Sequence, residues 1–107
     1  MAQTGYMDER IVEFVDRIME KLSCYVRKDK EELLKIVREM MHECRLRLDH
    51  MYRCSEERII DNIILRVSLD YYSRGSSVGK AWFVSAYPLS ITGEPMYDKE
   101  VRVIIGV

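Results

Sequence analysis

The hydrophobic period changes once along this chain, and that change limits the folds open to it more than any other feature. In the first half, apolar residues recur every three or four positions: Ile11, Val12, Phe14, Val15, Ile18, Met19, Leu22, Tyr25 and Val26. At about 100° per residue they fill one arc of a helix, while Glu13, Asp16, Arg17, Glu20 and Lys21 fill the other. The spacing predicts an amphipathic helix over 7–27. Asp29, followed by Glu31 and Glu32, reads as the cap and first turn of a second helix. That helix is expected to run to about Tyr52, with Leu33, Leu34, Val37, Met40, Met41, Cys44, Leu48, Met51 and Tyr52 facing inward. Two long helices joined by a short polar turn form an antiparallel hairpin.

In the second half the period drops to two. Leu65, Val67 and Leu69 alternate with Arg66, Ser68 and Asp70, the mark of a half-buried strand. The text predicts a short helix over 56–60, capped by Ser55, and then a strand over 63–72. A single helix over 56–73, closed by Gly75, is the competing reading. A turn at 73–79 leads to a strand over 80–87, with Trp82 and Val84 on one side and Phe83 and Tyr87 on the other. Pro88 ends it, and Thr92, Gly93, Glu94 and Pro95 mark a further turn. The last strand, over 100–105, sets Val101, Val103 and Ile105 on one face. The expected class is α+β: a helical hairpin over about 7–54, with a possible short third helix, packed on a three-stranded antiparallel meander within 63–107. At 107 residues there is room for one domain.

The balance of 17 basic against 18 acidic side chains lacks the basic excess of a dedicated nucleic-acid binder. Apolar residues at 48% argue against disorder. No run approaches the roughly 18 apolar residues of a membrane helix, and residues 1–6 lack the features of a signal peptide. The expected address is cytoplasmic. One Asn, one Gln and eleven Arg resemble proteins from hot environments, whereas seven Met and three Cys point the other way.

Catalytic constellations are sparse. Residues 75–80, GSSVGK, fall one short of a phosphate-binding loop and lack its hydroxyl, so they read as a turn. His42, His50 and Cys54 have no metal-ligand spacing, and Cys44 points into the apolar stripe as an ordinary core thiol. Cys24 lies on the polar side of the first helix near Lys21 and Lys28, where neighbouring ammonium groups favour a thiolate, but no base stands beside it. The reading leans away from an enzyme, and no cofactor or metal is expected.

Two binding surfaces remain. Arg38, His42, Arg45 and Arg53 fall within an arc of about 80° on a continuous helix and offer a stripe to phosphates, blunted by Glu39, Glu43 and Asp49. The last strand, expected at a sheet edge, offers one Arg in a strongly β-forming run, a template for pairing with another chain. Phe83, Tyr87 and Ile104 add an apolar outer face to it. The leading expectation is therefore a small binding or regulatory protein that assembles with itself, as a two-fold homodimer, or with a protein partner. Its interface would be Val101, Val103, Ile104, Ile105, Phe83 and Tyr87. A nucleic-acid-binding regulator is the alternative, and a viral accessory protein is among the settings such a chain fits.

Overall fold

A computed structural model describes residues 2–107, the side chains of 2–5 and of Arg74 excepted. Helix α1 spans Ala2–Lys21, a 3₁₀ turn spans Ser23–Tyr25, and α2 spans Lys30–Arg45. Four strands follow: β1 Cys54–Ile60, β2 Ile63–Arg74, β3 Ser77–Pro88 and β4 Val101–Gly106. They form one antiparallel sheet in the order β1-β2-β3-β4. Both helices lie on one face of it, so the fold is a two-layer α+β arrangement with four strands where three were expected.

The cap of α2 is the one expected. Asp29 Oδ1 accepts from the Glu32 amide at 2.9 Å, and the Glu32 carboxylate accepts in return from the Asp29 amide. Each satisfies an N–H that the helix cannot pair itself. The core forms between the helices and the inward residues of β2, β3 and β4. Phe14, Ile18, Leu33 and Val37 meet Leu65, Val67, Trp82, Val84, Val103 and Ile105, all buried.

Helix α1 ends at Lys21 rather than near Arg27, and most of the turn expected over 73–79 is strand, since β2 runs to Arg74 and β3 starts at Ser77. Three further expectations change. Helix α2 stops at Arg45 rather than near Tyr52, because the next residues have better local partners. The Asp49 carboxylate accepts from the amides of Met51 and Arg53 at 2.8 and 2.9 Å, and Tyr52 takes a left-handed conformation, φ 59°. Leu48, Met51 and Tyr52 are therefore exposed rather than buried. Second, 56–60 is neither helix nor helix start but part of edge strand β1. Its alternation is hidden because Glu56 and Arg58 occupy the side that faces the helices. Third, Cys44 is buried as expected but is not a free thiol. It is disulfide-bonded to Cys54, with Cα atoms 5.4 Å apart, a normal span for such a bond.

The loop edge of the sheet is pinned as well. Asp61, at φ 52°, accepts from the Arg27 amide at 2.7 Å, and the Asn62 amide donates to the Tyr25 carbonyl at 3.0 Å. The turn joining β1 to β2 is thereby fastened to the segment between the helices.

Candidate functional site

Antiparallel register sorts the outer face of the sheet into rows. One row reads Ser55, Ser68, Phe83, Ile104, and the next Glu57, Arg66, Ser85, Arg102. A third reads Ile59, Ile64, Tyr87. No α-helix among the described residues covers this face, but the 3₁₀ turn Tyr97–Lys99 lies over its Tyr87 end, where Ile64 and Tyr87 are buried. Ile104 is 43% exposed and Ile59 64%. Small residues at Ser68 and Ser85 leave a hollow rimmed by Phe83, Arg66 and Arg102. The Arg102 guanidinium lies 5.9 Å from the centroid of the Phe83 ring, a weak cation–π contact at an exposed site. Neither Arg66 nor Arg102 has a carboxylate partner among the described residues.

The predicted interface residues divide between the two faces. Val101, Val103 and Ile105 point to the helices and are buried in the core, so their side chains present nothing to a partner. Tyr87 lies on the outer face but is covered by Tyr97, the ring centroids 4.9 Å apart. Burial, and next the nearby Glu57 carboxylate, raise its phenol above the ordinary pKa. Phe83 and Ile104 remain accessible.

The β4 edge is better guarded than its sequence suggests. Arg10 donates to the Ile104 carbonyl at 3.0 Å and Arg17 to the Arg102 carbonyl at 3.3 Å. Glu13 holds both guanidiniums, at 2.7 and 2.9 Å. One helix thus occupies two outward carbonyls of the strand that an incoming chain would need. The opposite edge, β1, is guarded differently. Its inward Glu56 pairs with Arg47 at 2.9 Å, and Arg58 pairs with Glu43 at 3.1 Å and Glu39 at 3.9 Å. Inward-pointing charge is one way natural sheets protect an edge.

The predicted arginine stripe is only partly assembled. Arg53 lies beyond the end of α2 and pairs with Asp49 at 3.2 Å. Arg38 and Arg45 do come together, with His42, along one wall of a cleft of about 790 Å³. Its opposite wall is the start of α1, with Met7, Asp8 and Ile11, and it is closed by Gly106 at the end of β4. Arg38 pairs with Asp8 at 3.4 Å. The Arg45 guanidinium sits 5.4 Å from the centroid of the buried Trp82 ring, whose Nε1 has no partner. The sequence places Arg38, His42 and Arg45 on one helix face but does not show the cleft, since its other wall lies about 30 residues earlier in the chain. Cys24 is exposed in the 3₁₀ turn, and no group of three metal-ligating side chains occurs among the described residues.

Comparison with protein-family models, curated proteins and solved structures finds no match. The functional argument therefore rests on these surfaces.

Proposed function

We propose that this chain is a small binding protein that works as a homodimer, assembled face to face through the open side of its sheet. The observation that carries the reading is the outer row Glu57, Arg66, Ser85, Arg102, which lies between the apolar Phe83–Ile104 row and the exposed Ile59. A two-fold axis running between two such faces, parallel to the strands, lays β1 of one copy over β4 of the other. Glu57 then meets the partner's Arg102, and Arg66 lies over the partner's Ser85, so the pairing is self-complementary as a two-fold interface requires. Ser68 faces the partner's Phe83, a small residue against a large one, which suits the interdigitation of packed sheets. The area involved is about 600 Å² per copy, near the lower bound for stable interfaces. The guarded edges support the same choice, because they oppose strand addition and leave the Phe83–Ile104 part of the face free.

Sedimentation of the purified chain tests the reading. A dimer at micromolar concentration is expected, and Arg102→Glu should dissociate it by setting like charges together. Combining it with Glu57→Arg should restore association. A strictly monomeric parent chain refutes the proposal, and a double variant that stays monomeric refutes the two-fold register.

The Cys44–Cys54 bond bears on the setting. Cytosolic disulfides are rare except in hyperthermophiles, and the chain holds one Asn and one Gln. Together these features favour a hot-environment cytosol or an oxidising compartment over an ordinary reducing cytosol.

A further inference from the structure

We propose that the cleft between the N-terminal half of α1 and the C-terminal half of α2 is a binding site for a small amphipathic oxyanion, a carboxylate or phosphate ester with an apolar body. Three observations converge on it. First, the charge there is unbalanced. Two guanidiniums, Arg38 and Arg45, line one wall beside the His42 imidazole, and Asp8, already engaged with Arg38, is the acidic side chain facing them. The other carboxylates of this helix region are committed elsewhere: Glu39 and Glu43 to Arg58, and Asp49 to Arg53. Arg45 and His42 donate to no acceptor among the described residues. A guanidinium whose donors are unspent is suited to an oxyanion, which it can bind through two parallel hydrogen bonds.

Second, the floor is apolar and adaptable. Met41 and Ile11 are buried beneath it, Met7 is partly exposed, and Tyr6 and Val107 add the accessible apolar surface. Methionines accommodate ligands of differing shape better than branched side chains do. An ion alone would leave this surface unused, whereas an acyl or aryl body would cover it. The volume, about 790 Å³, falls within the usual range for small-molecule sites.

Third, Arg45 is preorganised. Its guanidinium rests over the Trp82 ring, and Trp82 is fixed in the core. Holding the cation in place before binding reduces the ordering cost that a free arginine would incur. Cations in the last turn of α2 also complement its dipole, which accounts for their presence at this end. It does not account for their lining a methionine-floored cleft. The site shares none of the contacts proposed between copies, so dimerisation and ligand binding stand or fall separately.

The test is a backbone-amide NMR titration of the whole chain with octanoate, octyl phosphate, octanol and inorganic phosphate as separate probes. Octanoate or octyl phosphate should give saturable shifts centred on Met41, His42, Arg45 and Gly106. Octanol should bind at least about tenfold more weakly, the loss expected for one charge-assisted contact, and inorganic phosphate more weakly still. The two anionic arms distinguish a carboxylate head from a phosphate head. Arg45→Gln should weaken binding about tenfold or more. The exposed Arg38→Gln serves as a second variant in case Arg45→Gln unsettles Trp82, and it should weaken the anionic probes while leaving octanol unchanged. Equal binding of octanol and octanoate, shifts centred on the sheet face, or no saturation overturns the proposal.

Discussion

Reducing the Cys44–Cys54 bond is the most informative perturbation of this fold, because of where the bond acts. Strand β1 turns Cys54, Glu56, Arg58 and Ile60 toward the helices. Two of these four are charged, so its apolar attachment rests on Cys54 at one end and Ile60 at the other. The bond ties the first of these to the last turn of α2 across a separation of ten residues. Closing a loop of that length in the unfolded chain is worth about 2.7 kcal/mol in the chain-entropy account. With an unfolding entropy of about 2.1 cal/mol/K per residue, a chain of 107 residues should lose about 12 °C in Tm on reduction. The assay is calorimetry of the oxidised and reduced chain, which holds every side chain constant. Hydrogen exchange should show β1 amides losing protection before those of β2 or β3. A fall of less than about 3 °C would refute the loop-closure argument. Preserved β1 protection would show that the ion pairs to Arg47, Glu39 and Glu43 hold the strand unaided.

Three other outcomes follow from the same structure. Asp29→Ala removes the side-chain acceptor of the α2 cap, while the backbone amide that donates to Glu32 remains; it should cost about 1 kcal/mol, read as a lower denaturation midpoint with an unchanged slope. Arg10→Ala frees the Ile104 carbonyl and one side of Glu13, so β4 amides should exchange faster and, at high concentration, edge-to-edge aggregation should rise over the parent. The pH response has two arms. The Asp49 carboxyl is held below the ordinary range first by the Arg53 amide, then by the Met51 amide and the Arg53 charge. Its contribution is therefore present above about pH 4 and lost as pH falls through the lowered pKa, which an NMR titration of the Met51 and Arg53 amides should show. Tyr87 is raised, first by burial and then by Glu57, so its contribution is present below about pH 10 and lost as pH rises through the raised value. Phenolate absorbance should include a late phase that Tyr87→Phe removes.

The sequence by itself determined the elements whose pattern is local. The apolar arc of 11–19 made α1 legible, the Asp29–Glu32 box located the start of α2, and the alternations at 65–69 and 101–105 assigned two strands and their inward faces. Each of those signals depends on a residue's own neighbours within a turn or a pleat. Tertiary structure decided the rest. Strand β1 escaped notice because its inward positions are Glu56 and Arg58, charges that are tolerable there only because Arg47, Glu43 and Glu39 reach them from another element. The end of α2 was set by Asp49 competing for backbone amides, not by a loss of apolar spacing. The guarding of β4 depends on Arg10 and Arg17, 94 and 85 residues away from their acceptors. The cleft likewise needs both helices in place before Arg45 and His42 acquire an opposite wall. Periodicity reports which side of an element is buried. It carries no record of which distant group will neutralise a charge, occupy a carbonyl or complete a cavity.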